Sequence, residues 1–78
     1  MFVSLGAARG SVNQLAEDDR YLYATAGSTD ILRIDRSTRA IEVVATDAES
    51  RLPFGLVVTD TMIYYTRHFA NDIWAMRK

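Results

Sequence analysis

The sequence contains no cysteine and only one histidine among its 78 residues. Without cysteine there can be no disulfide bridge, no thiolate zinc site and no cysteine nucleophile. Nine lysine and arginine residues stand against ten acidic residues, so the formal net charge is −1. The chain therefore lacks the excess of positive charge that drives binding to nucleic acids or to anionic membranes. We expect neither of these partners.

Long hydrophobic runs are also missing. No apolar segment approaches the roughly 18–20 residues that a membrane-spanning helix needs. Residues 1–8 are apolar, but no basic residue precedes them and Ser4 and Gly6 interrupt them, so they do not resemble a working signal peptide. The default expectation is a cytoplasmic protein. With a mass of 8.8 kDa the chain is one small domain, and the core of such a domain supplies only about 3–5 kcal/mol. We expect it to work as one unit or within an assembly.

Short apolar runs rich in Tyr, Ile, Val and Thr alternate with Gly, Asp, Ser, Asn or Pro, which is typical of strands joined by turns. No helical spacing is sustained. The acidic triplet at residues 17–19 predicts a solvated turn. Segments 41–46 and 56–58 are apolar at consecutive positions, which predicts strands covered on both faces. The sequence thus predicts an all-β fold, with strands at residues 2–5, 12–16, 21–25, 31–35, 41–46, 56–58, 62–66 and 73–77.

The sequence matches itself when it is shifted by 41 residues, or by 42 after one inserted residue. Residues 12–36 and 53–78 then share six identities over 25 aligned pairs, where composition alone gives about one or two. Two hairpins with generic strand and turn residues are the alternative explanation. Four strands in about 40–45 residues form a blade of a β-propeller. The sequence therefore predicts one two-blade unit over residues 1–78, with a spare outer strand at 1–5, a full blade at 12–46 and an incomplete blade at 53–78.

Residues 53–66 read PFGLVVTDTMIYYT and are followed by NDIW at 71–74. They resemble the blade consensus P-x-G-[IL]-x-x-x-D-x-x-[ILV]-[YW]-[YFW]-[TS], which runs through NHL-repeat, streptogramin-lyase-like and gluconolactonase-like propellers. The first unit is a weaker copy, with Gln14 in place of the consensus glycine. Residues 35–39, DRSTR, resemble the D-x-x-T-G turn between the third and fourth strands. This puts Arg39 in the glycine position, where a left-handed backbone would cost about 1 kcal/mol.

The resemblance does not bring catalytic residues with it. It implies a histidine directly after the proline in streptogramin lyases, and this sequence has Phe54 there. For gluconolactonase-like enzymes it implies a divalent metal held by several blades, for which Asn13 and Asp60 are candidates by analogy alone. No nucleophile elbow, phosphate loop or dinucleotide motif is present in the sequence. We predict no catalytic residue, no metal ligand and no cofactor.

Two blades alone would leave apolar faces in water, because a blade packs on a neighbour through each face. The contact between blades is head-to-tail, so whole copies close a ring of six blades from three chains or eight from four. We expect a homotrimeric six-bladed propeller in which residues 2–5 of one chain complete the second blade of the next. A tetramer remains the alternative.

The candidate ligand residues lie around the loop between the second and third strands of the second unit. In propellers this loop opens toward the central channel, next to the loop that here spans residues 47–52. The alternative for its histidine is an exposed side chain without a role. Aromatic residues at loop ends are candidates for stacking on a small molecule, a glycan or a peptide, whereas Tyr23, Tyr64 and Trp74 are expected to pack between blades. The predicted binding residues are Phe54, Arg67, His68, Phe69 and Asn71.

Taken together, these patterns predict a binding or interaction scaffold built from identical chains. Two alternatives stay open: an enzyme of the propeller hydrolase or lyase type, and a fragment of a longer natural or engineered propeller with no function of its own. Carboxylates converging with His68 on the channel axis would favour the enzyme.

Overall fold

The computed structural model describes residues 11–27, 29–47 and 49–78. The predicted strand at residues 2–5 lies outside this part of the chain. None of the described residues forms a helix with the length and hydropathy that crossing a membrane requires. The all-β prediction is confirmed, with seven strands: β1 (Val12–Glu17), β2 (Tyr21–Ala26), β3 (Asp30–Asp35), β4 (Ile41–Thr46), β5 (Pro53–Val58), β6 (Met62–Arg67) and β7 (Asp72–Arg77).

The strands form two antiparallel sheets in chain order. The first sheet contains β1, β2, β3 and β4, and the second contains β5, β6 and β7. The largest difference from the predicted strands is at β5, which begins at Pro53 and not at residue 56. Proline has no N–H group to donate to a ladder, so the sequence pattern places it in a turn. It is accepted here because the pairing of β5 with β6 is irregular between Pro53 and Leu56.

Aspartate side chains shape the turns of the first sheet. The Asp18 carboxylate accepts the backbone N–H groups of Arg20 and Tyr21 at 2.9 and 2.7 Å. In the turn between β3 and β4, the Asp35 carboxylate accepts two backbone N–H groups in the same way. This turn ends at Arg39, which has a φ of 65° and so adopts the left-handed conformation considered for the glycine position.

The two sheets share one pairing register. When 41 is added to the residue numbers of β1 and β2 and 42 to those of β3, pairs of the first sheet become pairs of the second. Four pairs show this, two from each sheet: Leu22–Ile34, Thr25–Ile31, Ile63–Met76 and Thr66–Ile73. The numerical shift is the one that aligns the sequence with itself. The two sheets therefore use corresponding residues in corresponding pairs.

The first sheet is buried on both faces of its central strands. The Thr25 hydroxyl donates to the Phe54 carbonyl at 3.0 Å, so the face that carries Thr25 is turned toward the second sheet. Tyr23 and Ile31 share this face and are fully buried. The opposite face carries a second buried apolar cluster, in which the best-covered members are Ala24, Ala26, Leu32 and Ile34.

The second sheet is buried on one face only. Ile63 and Tyr65 are buried against the first sheet, whereas Val57 and Ile73 on the other side are 60% and 73% exposed. We call this other side the open face; it comprises Gly55, Val57, Tyr64, Thr66 and Ile73, which border an apolar hollow of about 440 Å³.

The prediction that segments 41–46 and 56–58 are covered on both faces is wrong for the single chain. Val43 and Val57 are exposed, because the described residues form only two sheets and neither lies over these side chains. The three aromatic residues that were expected to pack between blades also differ in burial within the single chain. Tyr23 is buried between the sheets, whereas Tyr64 and Trp74 are exposed.

Candidate functional site

Two segments meet at one end of the sheets, and we call this the loop end. One is the connection between β4 and β5, and the other is the loop between β6 and β7. The N–H of His68 donates to the Leu52 carbonyl at 2.9 Å, and the N–H of Phe69 donates to the Arg51 carbonyl at 3.0 Å. Leu52 has a positive φ of 62°. Backbone hydrogen bonds thus fix the position of the loop that carries the single histidine.

Three of the predicted binding residues form an aromatic cluster at the loop end. The ring centroids of His68 and Phe69 are 4.9 Å apart in an edge-to-face arrangement, and those of Phe54 and His68 are 6.0 Å apart. All three side chains are exposed. Exposed rings on a fixed backbone can stack against a planar or apolar ligand surface with little loss of conformational entropy.

Arg67 holds the loop end together. It is buried, and its guanidinium donates two hydrogen bonds to the Asp72 carboxylate, at 2.9 and 2.7 Å. It also donates to Asp47 at 3.2 Å and to Glu49 at 2.8 Å, and its Cζ lies 4.7 Å from the centre of the Trp74 ring. The sequence placed Arg67 in a loop as a ligand-binding residue. In the structure it is the last residue of β6, and its guanidinium N–H groups donate to carboxylates of the same chain.

The charges around Arg67 stabilise one another. Hydrogen bonds to Asp72 and Glu49 raise the pKa of Arg67 above its usual range. In return, the Arg67 guanidinium holds the pKa of Asp72 below its usual value. Burial acts to raise the pKa of Asp47, but hydrogen bonds from two backbone N–H groups and from Arg67 outweigh it and lower this pKa. Arg67, Asp72 and Asp47 therefore stay charged at neutral pH. Their ion pairs connect the two segments of the loop end and do not favour proton transfer.

Asn71, the fifth predicted residue, is exposed in the loop between β6 and β7. Together with Arg67 and His68 it borders a hollow of about 330 Å³, whose remaining walls are Thr66, Asp72 and Ile73. Asn71 has a φ of 56°, a left-handed conformation that asparagine tolerates better than most residues. The loop end therefore combines an aromatic surface with an adjacent hollow of mixed polar and apolar lining, and His68 belongs to both.

A second polar cluster, which the sequence did not predict, lies at the opposite end of the sheets. The Asp18 carboxylate accepts a hydrogen bond from Lys78 Nζ at 2.7 Å and one from the Tyr23 hydroxyl at 3.1 Å. Burial acts to raise the pKa of Asp18, but the hydrogen bond from Lys78 and those from its own turn hold it well below the usual range. Burial and the hydrogen bond to Asp18 raise the pKa of Tyr23 to about 12.

Asp18 is therefore more than a member of a solvated turn, as the triplet at 17–19 had suggested. It links the two sheets, because Lys78 follows β7 directly. Asp18 and Lys78 are 60 positions apart, and no local pattern marks such a pair.

The residues considered by analogy for a metal lie apart. The Asn13 side chain donates to the Gly27 carbonyl at 2.9 Å, whereas Asp60 borders the hollow next to Asp18 and Lys78. Within the part of the chain that the structure describes, no group of three or more His, Asp or Glu side chains is placed to hold a metal ion.

Comparison with known proteins gives no match: no protein-family model, no curated protein and no solved structure is significantly similar to this chain.

Proposed function

We propose that the chain is a two-blade unit of a β-propeller similar to the NHL-repeat, streptogramin-lyase-like and gluconolactonase-like types. Its function is that of a binding or interaction scaffold completed by further copies of itself. The open face of the second sheet carries this proposal. Val57, Tyr64 and Ile73 expose contiguous apolar surface, which is characteristic of association sites.

The edge of the second sheet supports the same proposal. Among the described residues β7 pairs with β6 alone, so one side of β7 presents main-chain groups without a strand partner. An added strand satisfies such an edge. Residues 2–5, which lie outside the described residues, align by the 41-residue shift with residues 43–46 of β4. We propose that they supply this strand to the neighbouring chain, and that three chains close a ring of six blades.

The aromatic cluster supplies the binding part of the proposal. In a ring of three chains, the side chains of Phe54, His68 and Phe69 occur three times around one axis. Three equivalent sites favour ligands that engage several of them at once. A small molecule, a glycan or a peptide with ring-shaped groups fits this surface by its chemistry.

Light scattering coupled to size-exclusion chromatography tests the assembly. The expected mass is about 26 kDa, three times the 8.8 kDa of one chain. Deletion of residues 1–5 is expected to remove the trimer, because the strand that closes the ring is lost. A mass of 8.8 kDa at micromolar concentration would contradict the proposal, and so would a trimer that survives the deletion.

A further inference from the structure

A threonine hydroxyl occupies the same position in both sheets. In the first sheet the backbone N–H of Gln14 donates to Thr25 Oγ1 at 3.1 Å, and in the second the N–H of Gly55 donates to Thr66 Oγ1 at 2.8 Å. The two threonines are 41 residues apart, as are Gln14 and Gly55. The hydroxyl oxygen thus accepts an equivalent hydrogen bond in each sheet.

The two hydroxyl groups differ in what they donate to. Thr25 is buried, and its hydroxyl donates across the interface to the Phe54 carbonyl of β5. Thr66 is exposed on the open face. Its side of the second sheet corresponds to the side of the first sheet on which the second sheet packs. The open face is therefore the counterpart of the surface that the first sheet uses to bind the second.

The same register indicates which strand fits the open face. In the interface within the chain, β5 lies against the first sheet, with Pro53 buried and Leu56 partly buried. Their counterparts 41 positions earlier are Val12 and Leu15 of β1, which are both exposed large hydrophobic residues. One chain thus exposes the open face and, on β1, part of the surface that corresponds to the inner face of the second sheet. Ala24, the counterpart of Tyr65, is already buried within the chain.

We infer that the open face of one copy binds β1 of a second copy head-to-tail, with the Thr66 hydroxyl donating to the main-chain carbonyl of Asn13 in that copy. Asn13 corresponds to Phe54 under the 41-residue shift. Val12 and Leu15 of the second copy then cover the hollow bordered by Val57 and Ile73. This inference rests on the proposed self-assembly and adds the contact through which it occurs.

The absence of native cysteine allows a direct test by crosslinking. Two single-cysteine variants, Leu15→Cys and Val57→Cys, are mixed and treated with a short bifunctional thiol reagent. The expected product is a covalent dimer with one chain of each type, and neither variant is expected to crosslink with itself. Dimers from Val57→Cys alone would show two open faces packed on each other and would overturn the head-to-tail contact. So would the absence of the mixed dimer.

Substitutions on the open face give an independent measure. Ile73→Lys places a charge in the proposed contact and is expected to weaken association about 100-fold or more. Thr61→Lys adds the same charge at an exposed residue of the turn between β5 and β6 and is expected to leave association unchanged. Circular dichroism verifies that both variants fold. Equal effects of the two lysines on association would overturn the inference.

Thr66 is tested by two closely related variants. Thr66→Val removes the proposed donor and is expected to weaken association roughly fivefold, as for the loss of one neutral hydrogen bond. Thr66→Ser keeps the hydroxyl and is expected to restore most of the affinity. A trimer that is insensitive to all these changes would refute the contact between the open face and β1, but it would agree with the proposed scaffold of three chains. Mixed crosslinks in a particle of another mass would confirm the contact and refute the trimer.

Discussion

The two sheets have corresponding residues and the same pairing register, yet they differ in how far they are buried. Ile31 in the first sheet is 1% exposed, and Ile73 at the corresponding position of the second is 73% exposed. Each pairs with a threonine on the neighbouring strand, Thr25 or Thr66. The difference arises from the neighbour, because Ile31 lies on the face that is turned toward the second sheet, whereas no described sheet lies over Ile73. Strand pairing and burial are thus separate properties in this molecule, and burial depends on what packs against each sheet.

The largest effect expected from this comparison concerns the two isoleucines. Ile31→Ala should lower the free energy of unfolding by about 2–5 kcal/mol, because it removes buried methyl groups and leaves a cavity. Ile73→Ala should cost less than about 1 kcal/mol in the dissociated chain, where this side chain is already in water. Urea denaturation at low protein concentration, followed by circular dichroism, measures both. Similar losses for the two variants would mean that Ile73 is buried in the single chain.

Acid titration examines the tie between the sheets at Asp18. Because hydrogen bonds from Lys78, Tyr23 and the turn lower the pKa of Asp18 in the folded chain, its contribution to stability is present above its ordinary pKa of 3.8. That contribution is lost as the pH falls below 3.8 toward the lowered value. Asp18→Asn should remove this part of the acid sensitivity and also lower the stability at neutral pH.

The exposed neighbour Asp19 provides the matched control for this titration. Asp19→Asn should leave both the acid transition and the neutral stability close to those of the unmodified chain. Thermal unfolding monitored between pH 2 and pH 7 measures the three proteins side by side. An unchanged acid transition in Asp18→Asn would contradict a stabilising role for this carboxylate.

The smallest expected effect is at the turn between β3 and β4, which has no counterpart among the described residues of the second sheet. Arg39 has a positive φ of 65°, so Arg39→Gly should stabilise the first sheet by up to about 1 kcal/mol. Hydrogen exchange should show slower opening of β3 and β4 and little change in β6 and β7. Arg39→Ala keeps a side chain at the left-handed position and should bring no such gain.

Much of the fold could be predicted because it depends on local patterns. Short apolar runs separated by turn residues locate the seven described strands. The D-x-x-T pattern in residues 35–38 marks Arg39 as the position that can adopt a left-handed backbone. The 41-residue shift relates the strand pairs of the two sheets because each sheet pairs neighbours in the chain. Local information is sufficient for such a topology.

The candidate site was predicted less well, because its contacts join distant parts of the chain. The rings of Phe54, His68 and Phe69 lie near one another because the segments that carry them are at the same end of the sheets, and their role in binding stays a prediction. The burial of Arg67 depends on carboxylates 18 and 20 positions away, which no spacing rule identifies. Asp18 and Lys78 were missed for the same reason. The two-blade prediction implied exposed apolar faces, but it did not identify which residues they comprise, because an apolar strand looks the same whether or not a neighbour covers it.

The position of Trp74 on β7 has a practical consequence for spectroscopy. It is the single tryptophan of the chain, and it lies beside Arg67 and 6.5 Å from the centre of the Tyr65 ring, all within the second sheet. Trp74 also borders a hollow with Thr46 at the end of β4, so tryptophan fluorescence reports on β7 and on its contact with the end of the first sheet. Far-ultraviolet circular dichroism records both sheets. Superimposable unfolding curves from the two signals would show that the sheets melt as one cooperative unit. An earlier fluorescence transition would show that the contact of β7 with the end of β4 opens before the strands unfold, and the chain carries the optical probe for this distinction without any label.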